Sequence, residues 1–343
     1  MKAKVGKTLN FLLQIAIILV AYGFIYKKVF LELDFEGLVG VLTSKSSEKN
    51  FHLFILLAFV LIPLNLGIEA QKWRFLIGKF EHVPFFRALK AVFSGVTVSV
   101  FTPNRVGEYF GRVFILKSLH PFKGVLLTFV GSMGQLLATI IMGSLAGMLF
   151  LPKLINIYLF PNHLLIYGAV IAILLTVALL VLLYLNFSLL PVFLKRIIPG
   201  IQHRFSKYTG VFECYSSGEL TYVLFLSILR YFIFTTQFIL LLLAFGIKMP
   251  FTHYIVVIPV IFFVMTVIPT IALSELGIRG SVSIYFIGLY LHGTAGVIDL
   301  SAIGIIAAST LLWLFNLAIP AFTGTFFIFN LRFIRNRTNR NGQ

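Results

Sequence analysis

The chain has 343 residues, 59% of them hydrophobic and 11% charged, and a mean hydropathy of +1.01. Apolar runs of this extent exceed what one soluble core buries, so the composition excludes a soluble domain and predicts an all-α polytopic membrane protein. The formal charge of +17 is read as membrane topology and contact with anionic headgroups, with no nucleic acid as partner, because no RNA- or DNA-binding signature interleaves the basic residues.

The N-terminus places Lys2, Lys4 and Lys7 before an apolar run, as a secretory signal does, and Ala21-Tyr22-Gly23 resembles a weak cleavage site. Lys27 and Lys28 follow it, and the charge balance across the membrane works only if it stays, so it is read as a first span. Six apolar segments are long enough to cross about 30 Å of hydrocarbon. They lie near 10-26, 51-68, 124-150, 164-190, 220-245 and 301-331. Two more, 85-117 and 251-291, are apolar but broken by Pro, Gly and charge, and each reads as two full spans or as one re-entrant hairpin. Ahead of the first of these, Lys72, Trp73 and Arg74 are expected to form an anchor at the membrane interface. The single cysteine, Cys214, rules out an internal disulfide and a Cys-based cluster, and the scattered histidines show no ligand spacing, so neither metal nor cofactor is expected.

With both termini in the cytoplasm, eighteen Lys and Arg fall on that side and six on the other, which supports this orientation. The expected domain is a single membrane unit, 1-343, ending in a basic cytoplasmic tail, 332-343. Within it, span, span, broken segment, span recurs in 1-150 and 164-331. Each unit crosses an odd number of times, so the second is inverted relative to the first, as in many transporters whose site lies where interrupted helices meet.

The broken segments carry the charges. Glu108 and Arg112 recur 167 positions later as Glu275 and Arg279, each Glu four residues ahead of its Arg, the favoured order for a pair along one helix. Four unpaired charges at membrane depth would cost on the order of 10 to 14 kcal/mol, so they must meet each other, water or a ligand. Helix breaks are expected at Pro103, Gly107, Pro269 and Gly277. Thr102 is a candidate cap with Pro103 at the first helical position, and Ser274 a candidate cap for a helix from Glu275. Arg105 and Arg112, seven apart, would share a face, and Arg230, midway through its span with Gln237 two turns on, is expected to face the interior toward Glu108 or Glu275. An anion such as a phosphate would then be bound by Arg105, Arg112, Arg230 and Arg279, with Glu108 and Glu275 as counter-charges. The alternative is that the Glu-Arg pairs neutralise only each other and lock the broken helices in place.

QKWRF after the second span, PNRVGEYFGR in the first broken segment and LGIRGS in the second resemble the flippase-like integral membrane family that includes the membrane region of bacterial lysylphosphatidylglycerol synthases. The likeness extends in order and position over nearly the whole chain. It implies a lipid translocase that moves or accommodates an anionic phospholipid or lipid-linked intermediate across a bacterial inner membrane. An enzyme that makes the lipid would then be a candidate partner. Two departures qualify the resemblance. Family members often read Gly-Leu-Gly-Val-Arg-Glu in the second motif, whereas here Glu275 precedes Gly277 and Gly280 follows Arg279. The synthases also continue into a soluble aminoacyl-transferase domain, and this chain stops at Gln343, so it is not expected to be an enzyme. Without a GxxxxGK[ST] loop it is not expected to hydrolyse ATP. The competing readings are a secondary transporter of a small anionic solute and a membrane-embedded lipid transferase.

Overall fold

A computed structural model describes residues 2–26, 35–47, 49–102, 105–158, 163–189, 210–268, 272–292 and 300–329. Among these residues all regular structure is helical. The first half contains α1 (Lys2–Tyr26), α2 (Phe35–Lys45), α3 (Phe51–Ile77), α4 (Phe85–Ser99), α5 (Gly107–Val113) and α6 (Pro121–Tyr158). The second contains α7 (His163–Leu185), α8 (Ser217–Ala244), α9 (Phe251–Val267), α10 (Ala272–His292), α11 (Leu300–Trp313), a π-helical turn (Leu314–Ala318) and α12 (Ile319–Ile328).

Five stretches are long and apolar enough to cross a membrane: Phe51–Ile77, Pro121–Phe150, Ile166–Leu185, Ser217–Ala244 and Ala302–Ile328. The chain is a multi-pass membrane protein. The expected first span is present as α1, but its apolar part, Phe11–Gly23, is short for a crossing, so five described helices rather than six qualify as full spans. The second span also runs on to Ile77 instead of ending near residue 68. Glu69 and Lys72 do not terminate it because they are neighbours on the helix surface and pair with each other inside the bundle.

Local chemistry sets the helix starts. Ser216 and Glu219 form a reciprocal capping box that opens α8. Pro84 and Pro250, both with extended ψ, stand immediately ahead of α4 and α9. Near the end of the chain, Pro320 has no N–H to give the preceding turn, and its ring crowds the carbonyl four residues back, that of Asn316. The backbone widens there into the π turn, in which the Ile319 N–H bonds the Leu314 carbonyl.

α3 and α8 pack together at the centre, with Trp73, Leu76, Phe238, Leu241 and Leu242 in one core. The Trp73 indole N–H donates to Thr128 Oγ1 at 3.0 Å and fastens α3 to α6. Around this pair the contacts recur in both halves: α4 packs on α12 and α9 on α6; α1 packs on α12 and α7 on α6; α5 packs on α6 and α10 on α11. Glycines permit the closest approaches. A Cβ at Gly324 would run into the Phe93 carbonyl and Thr97 of α4, and one at Gly143 into Phe263 of α9.

α4 and α5, with 15 and 7 residues, are each shorter than the roughly 20 a crossing needs, and they pack against one another. Their outer ends are tied by Glu81. Its carboxylate, in the α3–α4 connection, accepts from the backbone N–H groups of Lys117 at 2.8 Å, Ser118 at 2.8 Å and Leu119 at 2.9 Å, and from the Ser118 hydroxyl. Burial alone pushes this carboxyl up, but those donors to its charged form hold it below the ordinary range.

Candidate functional site

The interior charge network is built on Glu69, which α3 carries into the bundle. Its Oε1 accepts from Arg112 Nη1 at 2.7 Å, and its Oε2 lies 2.8 Å from Lys72 Nζ and 3.1 Å from Arg230 Nη1. Helix α5 supplies Arg112, whose second nitrogen bonds Glu108 one turn earlier. From Arg230 on α8 the network continues through neutral amides. Arg230 Nε donates to Asn65 Oδ1 at 2.6 Å and Nη1 to Gln135 Oε1 at 3.3 Å, while the guanidinium sits over the Phe234 ring. Asn65 donates to Asn316 Oδ1 at 2.6 Å, and Asn316 to Gln237 Oε1 at 3.1 Å. The π turn thus places Asn316 between α3 and α8, a setting in which such turns recur at functional sites.

A second cluster joins the two broken segments. Arg105, between α4 and α5, has φ of 56, the left-handed region that a non-glycine residue enters at a cost. Its Nη2 lies 2.8 Å from both Glu275 oxygens, and Arg279 Nη2 donates to Glu275 Oε1 at 2.7 Å. Arg105 is 40% exposed and Glu275 is 7% exposed, so the cation approaches from the open side.

Together the clusters hold Lys72, Arg105, Arg112, Arg230 and Arg279 against Glu69, Glu108 and Glu275. Two positive charges are left in excess. Among the described residues no three His, Cys, Asp or Glu side chains gather to hold a metal.

All six charges singled out in the sequence lie in these clusters, and both Glu-to-Arg pairs form along their helices. The partners differ from expectation. Arg230 reaches the interior through Glu69, rather than through Glu108 or Glu275. Arg105 and Arg112 share no helix face, because Arg105 precedes α5 and turns toward Glu275. The Thr102 cap is real but displaced: its hydroxyl accepts from the Gly107 N–H, so α5 begins at Gly107 and not beside Pro103. Helix α10 begins at Ala272, ahead of Ser274, and runs through Gly277 without a break. Pro103 and Pro269 lie outside the described residues.

Lys72 and Trp73 are buried and form no interfacial anchor, and Lys72 leaves the count of charges at the membrane face. Glu69, Lys72, Asn65, Gln135 and Asn316 were missed as site residues. The signal for three of them was the spacing of Asn65, Glu69 and Lys72, four and then three apart, which is one polar stripe along an apolar helix. Ending the span at residue 68 hid it.

No curated protein matches the chain. A family model for the lysylphosphatidylglycerol synthase TM region matches residues 11–319, from the apolar part of α1 to the first residue of α12, and takes in both charge clusters. The chain therefore belongs to the family of lysylphosphatidylglycerol synthase transmembrane regions.

Proposed function

We propose that this protein moves, or accommodates during movement, an anionic phospholipid or lipid-linked intermediate across the bacterial inner membrane, with both termini in the cytoplasm. Membership of a family named for a lipid-modifying synthase supports a lipid-related role. The observation that carries the reading is the charge imbalance: five cations against three carboxylates, with Glu69, Lys72 and Arg112 buried. Two uncompensated charges would cost about 5 to 7 kcal/mol at membrane depth. A headgroup phosphate bound transiently between Arg230 and the Arg105–Arg279 pair offsets that cost without neutralising the site permanently. The acyl tails stay in lipid, and the chain itself transfers no group.

The recurring helix contacts support an inverted repeat. Exchanging α1 with α7, α4 with α9, α5 with α10 and α6 with the α11–α12 span turns each of the three recurring contacts into its counterpart. The prolines before α4 and α9 occupy matching places in this exchange. Lengths of 15 and 7 residues, with outer ends joined by Glu81, support a re-entrant α4–α5 hairpin.

Reconstituted liposomes carrying fluorescent phosphatidylglycerol test the reading. Protein-dependent redistribution between leaflets is expected, with a loss of tenfold or more in Arg230→Gln and Arg279→Gln variants that remain folded. Normal movement in both variants would make the charges structural. Uptake of a soluble anion without lipid movement would sink the lipid reading.

A further inference from the structure

A second basic site lies outside the interior network. A cavity of about 360 Å³ opens where the end of α3 meets the start of α8, lined by Arg74, Phe75, Lys79, His82 and Glu219 among others. Its size falls within the roughly 300–1,000 Å³ typical of small-molecule sites. Lys79 lies just past the end of α3 at Ile77, and none of the residues lining the cavity belongs to the interior network.

The cations here are held differently. Lys79 is fixed by Glu219 at 2.7 Å and by the Cys214 carbonyl, above the Tyr215 ring. Glu219 is itself anchored as the second member of the α8 capping box. Arg74 has no acidic partner among the described residues. The cavity therefore has two cations and one acid, a surplus of a single positive charge, with the His82 side chain beside them. Its apolar wall continues outward. Phe75 packs edge-on against Tyr222, and from there Tyr222, Phe225, Leu229 and Phe232 form one exposed stripe down α8. A basic cradle opening onto an apolar track is what a phosphate carrying acyl chains requires.

We infer that this cavity binds the singly charged phosphodiester of an anionic phospholipid, with Arg74 and Lys79 on the phosphate oxygens and the tails along the α8 stripe. The shared chemistry is a phosphate oxyanion, and a free phosphate would use the same two cations. The site stands whether or not the interior network transports lipid.

The full chain, labelled at Cys214 with an environment-sensitive fluorophore, provides the test, because the Cys214 backbone holds Lys79. Phosphatidylglycerol in mixed micelles is expected to give a saturable emission change that phosphatidylcholine does not. Arg74→Gln should weaken it by about tenfold or more, and Arg74→Lys should restore most of it in a chain of equal thermal stability. The same Arg74-dependent change produced by inorganic phosphate, and not by the lipid, would assign the cradle to a soluble phosphate. Identical titrations of the wild type and folded Arg74→Gln would overturn the site.

Discussion

Three cations converge on the Glu69 carboxylate, while Glu108 serves one of them alone. Removing a shared counter-charge from a dry interior leaves every partner exposed to the desolvation penalty at once. Glu69→Gln is therefore expected to destabilise the protein by about 3 to 5 kcal/mol, and Glu108→Gln by clearly less, since Arg112 keeps Glu69. Thermal unfolding of the full chain in detergent measures both, and equal losses would contradict the geometry. Asn316→Ala should cost about 1 to 3 kcal/mol by leaving buried amide groups of Asn65 and Gln237 without their partner. The charges of the broken segments were legible because Glu and Arg stand out against Pro and Gly in an apolar run. Asn65 and Asn316 were not, because a neutral amide in a hydrophobic helix has no visible partner until the two helices are placed side by side.

At the level of elements, the glycine contacts and the Glu81 tie decide how the short helices sit. Gly324→Val would force Cβ and its methyls against the Phe93 carbonyl and Thr97, displacing Thr97 from the Ala321 carbonyl it bonds at 2.8 Å. The expected loss is about 1 to 3 kcal/mol, readable as a lower melting temperature, whereas Gly147→Ala, which meets nothing within 4 Å, should be nearly silent. Glu81 adds a pH dependence. Its folded pKa is lowered, so its contribution is fully present above the unfolded value of about 4.3 and is lost as pH falls through the folded value. Between pH 6 and pH 3 the wild type should lose stability that Glu81→Gln never had. Parallel pH profiles for the two would remove the tie from the energetics.

The whole molecule turns on which face each loop occupies. In a Cys214→Ser background, His82→Cys and Ser118→Cys should react with a membrane-impermeant thiol reagent from the same side, because Glu81 joins the segments carrying them. Lys248→Cys, at the start of the second broken segment, should react from the opposite side if the halves are inverted. Labelling of His82→Cys and Ser118→Cys from opposite sides would mean that the α4–α5 segment crosses the bilayer an odd number of times, against both the hairpin and a pair of full spans.

The amino-acid sequence by itself determined that this is a multi-pass helical membrane protein, because hydropathy and span length depend only on the chain and the bilayer. It also located the two Glu-to-Arg pairs, since helical spacing is a local property. Only the tertiary structure decided that Arg230 answers to Glu69, that Lys72 and Trp73 lie inside, and that Arg105 reaches across to Glu275. Those pairings join residues 161 to 170 positions apart, and they exist only because α3 packs against α8 and the loop carrying Arg105 comes within reach of Glu275. A charge in a nonpolar interior is governed by whatever opposite charge lies within a few ångströms, and that distance is a property of the fold.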